Sequence, residues 1–504
     1  MSPSNGSTGA DPGNAVVIGA GVAGLLAARV LSGAFERVTL VERDRLPAVP
    51  RPRRGVPQGC HTHALQARGL QALEELLPGL SRELAAHGAP LVDFCRDSRF
   101  QLPHRVLSVM ESGILIQPVS RPLLEAAVRH RVLGLGNVVL REERTATGLL
   151  TDGAGRRVTG VRLTRRARRP REAAEETLTA DLVADASGRS SHLPDWLLSH
   201  GLPRVAETRI DARVGYATRS YRTTPDAPAP WRALFETPQA PHSPRGAFAL
   251  RIEDNRLLVT LHGAGGDHPP VGEQGFDTFM KSLSSDLYDT VRQLRPDSPI
   301  RRYARTANRR LHYHRLTPWP QQLIVLGDAA CTFNPVYAQG MTVAALEALA
   351  LRDLLAQRTG PPPPDLARRF QRRLAHLTTW PWLLATVSDH AWQTNRSPSL
   401  LTPLYRASQW YMDQWLRGAT QDPGMLYDLA RVTNMLAGPA PLFHPRHIIR
   451  IGQGALTPRH GTARSTGTAE AHAGQPSCRG APGGHATETT EGADRPEREG
   501  RTGR

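Results

Sequence analysis

Apolar positions fall along this chain in four textures. Near the start, Ala15 to Ile18 form a short apolar run, Gly19-Ala20-Gly21-Val22-Ala23-Gly24 interrupts it, Leu25 to Leu31 continue, and Val38 to Val41 form a second run ending at Glu42. That order predicts a buried strand, a glycine turn, a helix and a second strand. Far downstream, Leu323 to Leu326 stop at Gly327-Asp328, a loop containing Pro335 follows, and an Ala/Leu-rich helix begins at Gln339-Gly340. This predicts another strand, turn and helix, with unpaired N–H groups and a partial positive charge facing whatever fills the loop. A third texture covers residues 208–305, where Arg213 to Tyr221, Ala247 to Ile252 and Arg256 to Leu261 alternate apolar and polar. It predicts a sheet presenting one face to a cavity, to which residues 91–119 add strands. After Pro362 to Pro364, residues 365–435 read as helical and hold Trp380, Trp382, Trp392, Trp410 and Trp415, which are expected to pack rather than to form an exposed membrane-facing surface. Residues 1–14 and 456–504 are small, polar and Gly-rich, and are expected to be disordered.

The first unit has a mechanical reason at each glycine. Gly19 makes the tight turn, Gly21 lets backbone approach a pyrophosphate, and Gly24 lets helix pack on strand. Glu42 is placed to accept hydrogen bonds from an adenosine ribose, and its charge would repel a 2′-phosphate, so NADP suits this site poorly. Three smaller signals lie between the two ends. Arg53-Arg54-Gly55-Val56-Pro57-Gln58-Gly59 is a basic turn-rich loop able to reach the pyrophosphate. Ser120-Arg121-Pro122 opens a helix, and Leu182 to Gly188 is a strand running into Asp185 and a glycine turn.

Charge changes the picture little. The formal balance is +17, with a single lysine, Lys281, among the 63 Lys and Arg residues. Arginine clusters such as Arg165, Arg166, Arg168 and Arg169, or Arg301, Arg302 and Arg305, lack the interleaved aromatics that stack on bases, so no nucleic-acid partner is expected. Cys60, Cys95, Cys331 and Cys478 are scattered without metal or disulfide spacing, which suits a reducing cytoplasm. His61 and His63 have no acidic or cysteine partner at ligand spacing and read as ordinary loop histidines; no metal site is expected. No apolar run is long enough for a transmembrane span and the start shows no signal-peptide pattern, so a soluble cytoplasmic protein is expected.

Together, GAGVAG, Glu42, the Arg-Arg-Gly loop, Ser-Arg-Pro, DASG and GDAACTFNPVYAQG resemble the single-component FAD-dependent monooxygenases of the para-hydroxybenzoate hydroxylase fold. PRRGVPQGCHTHAL (52–65), TANRRLHY (306–313) and the 323–355 stretch resemble, more narrowly, bacterial flavin epoxidases of polyketide and terpenoid biosynthesis, which are squalene-epoxidase-like. The resemblance covers residues 15–360 and implies an α/β fold: a Rossmann-like FAD-binding domain, a discontinuous β-sheet substrate domain and a C-terminal helical region. The FAD-binding domain would comprise 15–90, 120–207 and 306–360, the substrate domain 91–119 and 208–305, and the helical region 361–455. It also implies that Gly19, Gly21 and Gly24 cradle the pyrophosphate, Glu42 holds the ribose, and Arg53 and Arg121 neutralise phosphates. Asp328 would bind the ribityl hydroxyls, while Pro335, Gln339, Gly340 and Met341 border the isoalloxazine. Cys331 stands where many aromatic hydroxylases of this fold have histidine, which weakens the case for a phenolic substrate.

The implied chemistry takes one oxygen from O2, through a C4a-hydroperoxyflavin, to an electron-rich alkene of a hydrophobic small molecule. No dedicated catalytic base is required, and none is assigned. No second strand-GxGxxG-helix unit occurs, so NAD(P)H would bind transiently or a separate flavin reductase would supply electrons. Aromatic hydroxylation is the nearest alternative, and a non-oxygenating flavin-binding redox protein is the alternative of another class. The resemblance discounts a flavin halogenase, whose required lysine would lie downstream of the first βαβ unit, whereas Lys281 falls in a predicted helix of the second domain.

Overall fold

The computed structural model describes residues 13–102, 105–165, 174–223, 231–357, 363–393 and 402–456. The expected disordered stretches fall almost wholly outside these residues.

A parallel sheet carries the first and second textures. Its order is Leu323–Val325, Leu182–Asp185, Asn14–Ile18, Arg37–Val41, Val138–Arg141, and every pairing is parallel. The inner strands are near-continuous apolar runs because both faces are covered, whereas the edge strand Val138–Arg141 is partly exposed. The helix Val22–Leu31 packs on the sheet, the helix Gly340–Ala356 packs against that helix, and Leu25, Leu26, Leu40, Leu323 and Ala345 are fully enclosed in the core. Ile18 pairs with Asp185 and Asp185 with Val325. Three strand ends separated by more than a hundred residues of sequence therefore stop at one level, where a doubly wound sheet offers its ligand crevice.

The second sheet is mostly antiparallel. Its path runs Arg295–Pro296, Gly215–Arg222, Arg256–Gly263, Arg245–Ile252, Ala233–Glu236, Ser98–Leu102, Arg105–Val106, with Arg301–Tyr303 also beside Gly215–Arg222. Because side chains alternate across a strand, its two faces differ in kind. Ala217, Val259, Leu261, Ala247 and Leu234 point to the helix Glu273–Lys281 and bury Phe276, Phe279 and Met280. Tyr216, Thr218, Thr260 and Phe248 point the other way and meet in register: Thr218 opposite Thr260, Thr260 opposite Phe248, and Tyr216 opposite both His262 and Tyr303.

The C-terminal layer comprises the helices Leu366–Leu377, Thr379–His390, Thr402–Ala419, Pro423–Thr433 and Pro445–Leu456. Asp422 caps the fourth by accepting from the Gly424 and Met425 N–H groups. Packing accounts for only part of the tryptophan content. Trp415 is fully buried with its indole N–H on the Leu442 carbonyl, and Trp382 is buried, but Trp410 is half exposed. No helix among the described residues is long and apolar enough to cross a membrane.

Candidate functional site

The glycines at the first strand end divide the labour expected of them. Gly19 has φ +97°, and a Cβ there would lie 2.5 Å from the Ala186 carbonyl oxygen. A Cβ on Gly24 would lie 1.8 Å from the Gly19 oxygen, so helix and turn touch backbone to backbone. Gly21 has nothing within 4 Å of its absent side chain, and neither does Gly340 at the start of the second helix. Both open positions line one cavity of about 400 Å3, a size that suits an organic ligand.

Of the residues picked out by sequence, Gly19, Gly21, Glu42, Arg53, Arg121 and Asp328 line this cavity, as do Pro335, Gln339, Gly340 and Met341. Gly24, expected to share in the pyrophosphate cradle, does not line the cavity: its Cα is packed against the Gly19 carbonyl behind it, so it serves the contact between helix and turn. The electrostatics refine several roles. Glu42 is buried and accepts from the Ala20 and Asp44 N–H groups at 2.8 and 3.0 Å, which locks its carboxylate at the end of the second strand. Arg53 is caged: its guanidinium lies 2.7 Å from Glu125, 3.2 Å from Asp44 and 3.3 Å from Glu42, with 8% of its side chain exposed. These carboxylates hold its pKa above the ordinary arginine value despite burial, so its charge is already balanced. Arg121 follows the capping Ser120 and shares Glu125. The Asp328 carboxylate accepts no hydrogen bond from the described residues, and burial raises its carboxyl against the pull of Arg189 and Arg121. An unsatisfied carboxylate at a cavity wall fits a ligand that brings hydroxyl donors.

Asp185 sits elsewhere. It is buried and accepts from the Ser187 N–H at 2.9 Å and the Ser191 hydroxyl at 2.5 Å, so it shapes the turn after its strand, and Ser187 and Gly188 of that turn reach the cavity. Cys331 is buried in a cluster with Phe333, Ile210 and Val343 and, unlike Phe333, does not line the cavity. Behind the turn, Glu347 accepts from the Gly327 N–H at 2.6 Å, and burial pushes its carboxyl up to about 8.

The opposite wall was not read residue by residue from sequence. His61 and His63 are not solvated loop residues. His61 is 4% exposed, and its ring lies 5.5 Å from that of Tyr303 and 5.9 Å from that of Tyr216. The Thr62 N–H and hydroxyl both donate to Thr260 Oγ1, at 3.2 and 3.1 Å. Thr260 and Thr218 oxygens are 2.6 Å apart, and Thr218 is 2.6 Å from His61 Nδ1. With Thr260 already accepting twice, its proton points to Thr218 and that of Thr218 to His61, leaving the imidazole proton on Nε2. His63 Nδ1 faces the His61 carbonyl at 2.9 Å and so donates to it. Burial pulls His61 down to about 4 and His63 to about 3, so both are neutral near pH 7. The alternation of 216, 218 and 260, 262 could have flagged these side chains. Their partners, some 40 to 200 residues away, could not have been.

A family model described as FAD binding domain matches residues 14–366. The chain is 34% identical over 423 residues to Protein Rv3254 of Mycobacterium tuberculosis, covering 83% of this chain and 88% of that one. It is 27% identical over 358 residues to a kynurenine 3-monooxygenase of Salinispora arenicola, covering 68% and 72% respectively. The structure of the flavin-dependent brominase Bmp2 superposes with a TM-score of 0.59 at 15% identity, covering 87% of this chain and 99% of that one, a likeness of fold.

Proposed function

The chain belongs to the FAD binding domain family, and from that premise we propose that this FAD-dependent monooxygenase is an epoxidase of alkene groups in a polyketide or terpenoid precursor, in secondary metabolism such as antibiotic biosynthesis. The observation that carries this reading is the shared cavity: a glycine-lined cradle at one side and, at the other, Tyr216, Tyr303, Phe248 and a neutral His61. An uncharged aromatic wall suits a hydrophobic substrate, and alkene epoxidation asks for no general base.

The residues present fit FAD. Gly19, Gly21 and Glu42 would take the pyrophosphate and ribose, with Gly24 packing the helix behind them. Arg121 would meet phosphate charge, joined by Arg53 only as far as its carboxylate cage allows. Asp328 would accept the ribityl hydroxyls, and Pro335, Gln339, Gly340 and Met341 would border the isoalloxazine. The helix opening at Gly340 would turn its positive end to the ring's N1/C2 edge. Bound and reduced, FAD supplies an activated oxygen atom drawn from O2. The chain's own tasks are to exclude water, to hold the alkene against the wall, and to keep His61 uncharged by burial, with the Thr260–Thr218 hydroxyls fixing its tautomer. Electrons would come from NAD(P)H or from a separate flavin reductase, and the setting would be cytoplasmic.

Aromatic hydroxylation is the second reading, favoured by the likeness to kynurenine 3-monooxygenase. Halogenation is disfavoured because Lys281 ends the helix on the far side of the sheet, its ammonium 4.5 Å from the centre of the Tyr288 ring. The test is turnover under 18O2 with FAD-loaded protein, NADH or NADPH, with and without a flavin reductase, on polyene and phenolic substrates. A product gaining one labelled oxygen as an epoxide is expected. A labelled phenol would move the assignment to hydroxylase, and cofactor oxidation yielding only hydrogen peroxide would leave a non-oxygenating flavoprotein.

A further inference from the structure

Between the two walls lies a loop, Phe333 to Ala338, whose shape depends on a group from neither. Asn334, Pro335 and Ala338 line the cavity, Ala338 has φ +52°, and Gln339-Gly340 begins the helix immediately after. The carboxylate of Asp389, on the C-terminal helix Thr379–His390, is 2% exposed and sits directly behind this loop. It accepts from Asn308 Nδ2 at 2.6 Å, from Asn334 Nδ2 at 2.9 Å and from the Tyr337 hydroxyl at 2.7 Å. Asn308 Oδ1 in turn accepts from the Asn334 N–H at 2.7 Å. Asn334 Oδ1 accepts from the Val336 N–H and from the Tyr216 hydroxyl, both at 3.2 Å.

No salt bridge among the described residues reaches Asp389, so a carboxylate is buried here on hydrogen bonds from neutral donors alone. Such burial is costly, and an apolar side chain of the same size would spare the desolvation. What the carboxylate provides that an apolar group would not is direction. It fixes two asparagine amides and a phenol, which carry the loop and one aromatic of the substrate face. All three donors, and Tyr216 beyond them, come from segments remote from Asp389 in sequence.

We propose that Asp389 is a positioning residue of the cofactor site: a carboxylate of the C-terminal helical layer that holds the 334–338 loop in its cavity-bordering shape and, through Asn334 and Tyr216, keys the substrate wall to it. The inference rests on the reading that this cavity holds FAD. It gives the C-terminal helices a role in cofactor binding although none of their described side chains lines the cavity.

The test uses the full-length protein freed of flavin, and measures FAD affinity by fluorescence titration beside the melting temperature of the FAD-free form. Asp389→Asn presents an amide where donors converge, so at least one bond is lost. Its FAD dissociation constant is expected to rise about ten-fold, and the visible spectrum of its bound flavin to shift. Asp428→Asn is the control. Asp428 is a buried carboxylate of the same layer, bonded to Arg446 and His447 at 2.6 and 3.0 Å, with no hydrogen bond to the 334–338 loop. That variant is expected to melt lower with FAD affinity within about two-fold of wild type. Tyr337→Phe, which removes one donor and leaves the carboxylate, serves if Asp389→Asn does not fold, and about a three-fold loss is expected. Unchanged FAD affinity in the Asp389 or Tyr337 variant overturns the proposal, as does a loss in Asp428→Asn that follows the drop in melting temperature equally. Failure of the wild type to take up FAD would instead overturn the cofactor reading beneath it.

Discussion

The two walls of the cavity are built on different principles. The cradle side is made of backbone: glycines whose missing Cβ atoms either prevent a clash or leave open space, and a helix start with unpaired N–H groups. The sheet side is made of side chains delivered in register by separate strands, then tied by hydroxyls to His61. Backbone recognition tolerates no added atom where chain meets chain, whereas a side-chain wall can change residue by residue without disturbing the fold. A common cofactor and a variable substrate call for these two different constructions.

Two glycines separate folding from binding within the cradle, and the largest effect is expected there. Gly24→Ala puts a methyl 1.8 Å from the Gly19 oxygen, so the helix must lift off its strand, at roughly 3–5 kcal/mol by analogy with severe overpacking. Its melting temperature should collapse or soluble protein be lost. Gly21→Ala adds its methyl to open space. It should melt like wild type without FAD and yet bind FAD about a hundred-fold more weakly, about 2.7 kcal/mol. A Gly21→Ala protein binding FAD normally would show that this opening is not where the cofactor comes close.

Asp328→Ala removes the cavity's unsatisfied carboxylate. Its purified form should lose its flavin on dialysis, in keeping with roughly 1–3 kcal/mol for lost charge-assisted bonds. Full flavin occupancy in that variant would remove Asp328 from the cofactor site.

The sheet side should declare itself through acid. Burial lowers His61 to about 4 and both His63 and His262 to about 3, from an ordinary 6.5. Between those limits the unfolded chain binds protons that the folded one refuses. The stability is present above pH 6.5 and is lost as pH falls toward 4 and then 3. Melting temperature should therefore drop across that window, and His262→Leu should make the slope shallower by about one proton. A slope unchanged in the variant would mean that His262 is protonated in the folded state.

The smallest effect belongs behind the cradle and has the opposite sign. Glu347, raised to about 8 from 4.5, is protonated in the folded protein at neutral pH. Its contribution is present below pH 4.5 and is lost as pH rises through 8. Glu347→Gln keeps an acceptor for the Gly327 N–H and has nothing to titrate. Little change is expected at pH 5 and a few degrees of gain at pH 8.5; a loss at the higher pH would show the carboxylate to be charged and needed.

The cradle was legible in the sequence because each of its parts is local. GAGVAG carries its turn, its opening and its contact within six residues, and the run into Gly327-Asp328 announces a strand end, a turn and a helix. Arg53 shows where locality stops. Its loop was read as reaching phosphate, but the carboxylate of Glu125, 72 residues on, helps to cage it. His61 shows the same limit from the other side: read as an ordinary loop residue, it lies in a loop yet is buried in the cavity wall, because Thr218 meets its ring and Thr260 holds the neighbouring Thr62. Trp410 resists a uniform packing rule, since its half-exposed indole lies on the same helix as the enclosed Trp415.

By itself, then, the sequence determined the family of fold, the dinucleotide cradle and the alternation of a sheet with two unlike faces. These follow from backbone conformation and periodicity, which a few neighbouring residues settle. Only the tertiary structure decided which charges are caged, which imidazoles are neutral, and that Asp389 from the C-terminal helical layer stands behind the cavity-bordering loop 334–338. Those outcomes depend on burial and on hydrogen bonds between residues remote in the chain, and a linear pattern does not encode which partner will close each one.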